Sequence, residues 1–178
     1  MEKILFMVSM LTLSLGIVWG HEEAGNKLKR IKSVAVKWLF YTGLDYSLAA
    51  LSAVLVIFFK ENNAEFTETF LAMWVFDLAV ASSFVYFDFK TKIDITLGRE
   101  YRRSTEVVWK RSKILGIFSF VGIFLRATVW DGPERIAIFF EKELKMKGKF
   151  LVVFFLTIFQ ALFWVVVYGE GYDLLLGS

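Results

Sequence analysis

Four residues of this sequence are of types that hydrocarbon tolerates badly and that chemistry uses. They are Asp45, Asp77, Arg126 and Gln160, each embedded in a run of apolar side chains. A charged group near the centre of a bilayer costs at least about 2.5–3.5 kcal/mol, so such residues mark an ion path, a polar ligand or an assembly contact. Their depths can be compared at a rise of about 1.5 Å per residue. Asp77 falls roughly 15 Å, and Arg126 roughly 18 Å, from the same end of their respective runs. A difference of about 3 Å is within reach of an arginine, so an Asp77–Arg126 ion pair is expected. Gln160 falls near the middle of its run, and Asp45 lies shallower. Two readings stand side by side: a polar track for ions or a polar solute, and a register pair that holds helices together. A pair that neutralises itself carries protons poorly, which leaves Asp45, without a partner, as the better ion-contacting group.

Little else in the chain could do chemistry. There is no Cys and only one His, which removes disulfides, thiol redox chemistry, cysteine zinc sites and most histidine-based hydrolysis. His21 stands beside Glu22 and Glu23, where a solvated cluster is the simpler reading than a metal site. Gly98 and the Gly169-Glu170-Gly171 run are not phosphate cradles, and no nucleophile elbow or dinucleotide fingerprint occurs. No catalytic residue, metal site or cofactor is nominated, and the chain is not expected to be an enzyme.

The elements that would position the four residues follow from composition. Of 178 residues, 57% are hydrophobic and 22% charged, and the mean hydropathy is +0.56. Soluble domains are roughly 45–50% apolar. Ordinary charge content in so apolar a chain means that charge is segregated between long apolar runs. Five runs approach the 17–25 residues that cross a membrane: 4–20, 39–59, 66–87, 114–130 and 150–168. With a single Pro, at position 133, they read as continuous helices, since backbone amides in lipid must be paired within the segment. The fold class expected is an all-α polytopic membrane protein. It is a single transmembrane domain, a bundle of about five helices with one or two interfacial amphipathic helices. The first run resembles a secretory signal but is long for one, so a retained first helix is expected.

Loop charges orient the bundle. The loop before 39–59 holds Lys27, Lys29, Arg30, Lys32 and Lys37, the next holds Lys60 alone, and the third holds eight basic residues between Lys90 and Lys113. The first and third loops therefore read as cytoplasmic and the N-terminus as outside, in an integral plasma (inner) membrane protein. The last loop is ambiguous. Arg135, Lys142, Lys145, Lys147 and Lys149 favour the cytoplasm, which requires 114–140 to re-enter and turn at Asp131-Gly132-Pro133. Length favours a full fourth span and a cytoplasmic C-terminus, because 136–140 is too short to recross. The full span is the expectation taken.

Interfacial helices are expected at 27–38 and 135–147, where apolar residues recur at helical spacing. In the second, Glu141 with Lys145 and Glu143 with Lys147 have the favourable i,i+4 order. A further helical stretch follows from Leu97, Tyr101 and Val108. Lys27, Arg30, Arg102, Arg103, Lys110 and Arg111 are candidates for contact with anionic lipid headgroups at the cytoplasmic face, beside the simpler role of fixing topology. Topology explains the basic charge, so no nucleic-acid partner is expected. Small residues at Ala49 and Ala53, and at Ala79 and Ser83, suggest that the second and third runs pack closely. A bundle of five helices leaves little room for a private cavity. The function expected is thus a homo-oligomeric channel or transport component for ions or a small polar solute. The rival is an accessory subunit of a larger membrane complex.

Overall fold

The computed structural model describes the backbone of residues 24–176 and the side chains of residues 33–174. The expected first helix at 4–20 lies outside the described residues. Within them the chain is helical, with no strand: α1 is Ala24–Glu61, α2 Phe66–Thr91, α3 Gly98–Arg111 and α4 Lys113–Arg126. A wide π-helical turn, Ala127–Asp131, extends α4, and α5 (Pro133–Phe139) and α6 (Met146–Leu176) follow. Four stretches are long and apolar enough to cross a membrane: Ser33–Glu61, Phe66–Thr91, Lys113–Asp131 and Met146–Leu174.

The expected interfacial helix at 27–38 is not a separate element. It runs without a break into α1, because nothing between Trp38 and Leu39 stops a helix. Lys27 and Arg30 lie in its first turns, and their side chains are outside the described residues. The helix at the Leu97, Tyr101 and Val108 stretch is present as α3. The expected helix at 135–147 is divided instead: α5 ends at Phe139, and α6 begins at Met146. Nor is α5 a surface helix, since every residue from Pro133 to Phe139 is buried.

Local signals set the ends. Asn63 takes a left-handed conformation and Ala64 N–H reaches back to the Phe59 carbonyl, which closes α1 with a Schellman turn. Glu65 and Glu68 then cap α2 reciprocally. Before α3, Asp94 accepts from the Thr96 N–H and hydroxyl with one oxygen and from the Arg99 N–H with the other. This satisfies donors that a buried helix start would leave unpaired.

The buried face of α2 repeats at almost constant spacing: Thr69, Met73, Asp77, Ala81, Val85 and Asp88. It packs most extensively on α6. The expected close contact through Ala79 and Ser83 is therefore corrected. Both are exposed, and the small residues at the α2 interface with α5 and α6 are Ala81, Ala137 and Ala161.

Lys113–Asp131 keeps the length and apolarity of the expected fourth span, and the direction of the last helix shows how the chain leaves it. Lys60, at the end of α1, bonds the Gly169 carbonyl at 2.8 Å and pairs with Asp173 at 2.5 Å, so α6 finishes beside the α1–α2 turn. At the other end Arg99 joins Asp88 at 2.7 Å to Glu141 at 2.6 Å, and Lys149 lies 3.7 Å from Asp88. Residues 141–149 thus share an end with residues 88–102. The chain turns back at Asp131-Gly132-Pro133, and α5 folds along α4, where Phe120 meets Phe139 and Phe140. The expectation from length assumes a return across the whole membrane. The turn goes only as deep as Tyr41, nineteen residues before Lys60, and the short α5 suffices for the way back.

Gly132 makes that turn possible. Its φ is +94°, and a Cβ there would come within 2.4 Å of the Glu134 carboxylate. Gly98 serves a different need: a Cβ would lie 2.8 Å from the Arg135 carbonyl oxygen, so α3 could not lie on α5.

Candidate functional site

Three helical stripes converge on a cavity of about 270 Å³ between α1, α2 and α6, closed on one side by the turn before α5. From α1 come Tyr41, Asp45, Ala49 and Ser52; from α2, Met73, Asp77 and Ala81. From α6 come Gln160, Trp164 and Tyr168. Each stripe repeats every three or four residues, the spacing that keeps side chains on one helix face. Trp130, Gly132 and Glu134 complete the wall.

Of the residues that the sequence singles out, Asp45, Asp77 and Gln160 meet here. Arg126 does not. The expected Asp77–Arg126 pair is absent: Arg126 Nε pairs with Asp131 at 2.7 Å across the π-helical turn. Depth arithmetic took the two runs to start level, whereas the turn that holds Arg126 reaches only as deep as Tyr41, whose ring meets Phe84, seven residues from Asp77. Asp77 is 9% exposed, and its Oδ2 is buried without a hydrogen-bond partner. A buried polar atom left unpaired is costly, about 1–3 kcal/mol, and among the described residues Asp77 shares this state with Arg135 Nε. Asp45 is half-buried and also borders a narrow cleft of about 20 Å³, lined on its far side by Arg126, Asp131 and Arg135. That is room for about one water among polar groups.

Below the cavity lies a compact cluster that sequence reading missed. Arg135, 3% exposed, pairs with Asp131. Its guanidinium lies between two rings, 4.6 Å from the centre of Tyr41 and 5.0 Å from that of Tyr101. The Tyr41 hydroxyl is 2.6 Å from Glu134 Oε1 and also meets the Asp131 carbonyl oxygen. A hydroxyl has one hydrogen, and a carbonyl only accepts. Both contacts are satisfied when Tyr41 donates to Asp131 and a protonated Glu134 donates to Tyr41. The i,i+4 spacing of Asp131 and Arg135 was visible in the sequence, but across a Gly-Pro turn it does not predict a pair.

On the other side an apolar layer separates the cavity from a second pocket. Val56, Met73, Ala161 and Val165, all nearly inaccessible, form that layer. One turn beyond it, a pocket of about 250 Å³ is lined by Thr69, Val165, Gly169, Lys60 and Asp173. Trp74 donates to Thr157 at 3.1 Å, and Trp164 stacks on Tyr168 with centroids 4.9 Å apart, which fixes the rings around the layer.

The six candidate headgroup residues divide. Arg102 is committed to Glu143, through two bonds of 2.6 and 2.5 Å, and to Glu106 at 2.8 Å. The expected Glu143–Lys147 and Glu141–Lys145 partners are replaced by Arg102 and Arg99. Arg103 is exposed and pairs with Glu100, while Lys110 and Arg111 are exposed at the end of α3. The Arg102 bonds hold the Glu143 carboxyl below its ordinary value.

No group of three metal-ligating side chains is placed to hold an ion among the described residues. Set against known protein families, curated proteins and solved structures, the chain matches none of them. Helices long and apolar enough to cross a membrane make this a small α-helical membrane protein, with a cavity inside a single chain that carries carboxylates on a largely apolar wall.

Proposed function

We propose that this protein is a transport component that passes a small cation through the cavity between α1, α2 and α6. One observation carries the reading. Asp45, Asp77 and Glu134 face the same space, and no Lys or Arg is among the described residues that line it. Asp77, nine-tenths buried on a wall whose described residues include no basic one, is arranged for a positive visitor. The Asp131–Arg135–Tyr41 cluster and the Val56–Met73–Ala161–Val165 layer close the two ends in this conformation. The cavity belongs to one chain, so the expectation that an oligomer is needed to build one loses its premise. A homo-oligomer would repeat the site.

The charge rule gives this path a direction. Lys90 to Lys113 and Lys142 to Lys149 share one end of the bundle, opposite Lys60. With the basic end in the cytoplasm, the arginine cluster faces inward and the Lys60 pocket outward. The end of α6 then lies outside, in place of the expected cytoplasmic C-terminus. Anionic lipids at the inward face would meet Arg103, Lys110 and Arg111.

Purified full-length protein in liposomes tests the reading. A voltage dye would report flux of monovalent cations, with chloride and acetate as the anion controls. Cation flux that falls at least tenfold in Asp45→Asn and in Asp77→Asn is expected. Flux unchanged in both would overturn the proposal. A protein inert alone, but active when purified with a larger membrane partner, would favour the accessory role.

A further inference from the structure

The acidic cavity is also lined by rings, and the two features together narrow its occupant. Phe76 and Phe84 contribute from α2, Trp130 from the π-helical turn, and Trp164 and Tyr168 from α6. A hard inorganic cation needs several oxygen ligands converging at about 2.0–2.6 Å. Here the carboxylates come from three different elements, and no three of them are placed to share an ion among the described residues. A proton, at the other extreme, needs neither the volume nor the aromatic wall. The volume of about 270 Å³ lies just below the range of roughly 300–1,000 Å³ usual for ligand pockets. Aromatic faces attract cations within about 6 Å of the ring centre, and quaternary ammonium groups are the ligands that most use this.

From this juxtaposition we infer that the cavity binds a small organic ammonium ion with an apolar body. Asp77 is the counter-charge: it lines the cavity, is nine-tenths buried, and its Oδ2 has no protein donor. Trp164 and Tyr168, held parallel by stacking, form the wall against which the apolar body lies. Asp45 stands at the border with the narrow cleft and meets the cation on its way to or from the arginine cluster. The inference deepens the transport reading and rests on it for the idea that the ligand moves; the binding itself does not.

Binding is measured by titration calorimetry and tryptophan fluorescence on the full chain in mild detergent. The probes are benzyltrimethylammonium chloride, its uncharged carbon isostere neopentylbenzene, and potassium chloride. Saturable binding of the cation is expected, with the isostere and potassium at least tenfold weaker. Asp77→Asn should weaken it at least tenfold, Asp77→Glu should retain it, and Trp164→Leu should weaken it several-fold. Equal binding of the isostere, no saturable binding of the cation, or unchanged binding in Asp77→Asn would overturn the inference. Should Asp77→Asn fail to fold, the comparison of cation and isostere on the unaltered chain still decides. The same probe in liposomes separates the two proposals. Binding without flux of any cation retains the ligand class and removes transport. Flux of potassium without binding of benzyltrimethylammonium removes the ligand class and retains transport.

Discussion

Two groups of buried charge lie on either side of Tyr41, and the fold treats them oppositely. Towards the basic end, Asp131 is shared by Arg126 and Arg135, and Asp88 by Arg99 and Lys149. In the cavity, Asp77 has no partner for its buried oxygen. Both groups incur the cost of leaving water; the first recovers most of it within the chain, although Arg135 Nε is left without a hydrogen-bond partner. Paired charge here ties α2, α3, α5 and α6 into one turn-back structure. Asp77 is held by that structure with no basic residue among those described on the cavity wall.

The largest test removes the centre of the paired group. Arg135→Leu leaves Asp131 short of its buried partner and strips the cation from between Tyr41 and Tyr101, and should destabilise by about 3–5 kcal/mol. Thermal unfolding in detergent reads this. Adding Asp131→Asn to Arg135→Leu should recover part of the loss, and a double variant no better than the single would show that the ring contacts dominate.

Gly132→Ala attacks the same region through its backbone. At φ +94° an alanine is strained and its Cβ meets the Glu134 carboxylate. The strain is worth about 1–3 kcal/mol. A melting temperature within error of the parent would refute the turn geometry.

The comparison is sharpest where the sign reverses. Asp77→Leu deletes an unsatisfied buried group and should raise stability, by about 1–3 kcal/mol, while it abolishes cation binding. A matching Leu at Asp131 should do the opposite and destabilise. Equal effects at the two positions would erase the distinction between them.

The smallest effect belongs to the exposed rim. Glu143, bonded by Arg102, has its carboxyl lowered in the folded state. Its contribution is therefore present above the ordinary glutamate range and is lost as pH falls through the lowered value. As Glu143 is half exposed, Glu143→Gln should cost no more than about 1 kcal/mol at neutral pH. Melts from neutral to acid pH should show the two proteins converge as the carboxylate protonates.

Much of the site was legible one helix at a time. Asp45, Asp77 and Gln160 stood out as polar groups in apolar runs, and all three reach the cavity. What composition could not supply was where each helix starts and how it is rotated. Asp77 and Arg126 match in depth when counted along their runs, yet the turn-back leaves Arg126 beside Asp131 at the level of Tyr41 and Phe84. The same blindness hid Arg135, counted as a loop charge although it is almost fully buried. Glu141 and Glu143 show a related failure: local i,i+4 partners were available, but arginines of α3 hold both carboxylates.

By itself the sequence determined that the chain is helical and apolar enough to cross a membrane, where its polar groups lie along each run, and which loops are basic. These depend on composition and on the short-range demand that backbone amides in lipid be paired. Only the tertiary structure decided that residues 114–140 turn back at Gly132, that α6 ends beside Lys60, and that two aspartates share one aromatic cavity while a third is neutralised. Those outcomes depend on how helices rotate about their axes and which ends meet. Such contacts join residues some ninety positions apart, as Tyr41 joins Glu134, and no local pattern encodes them.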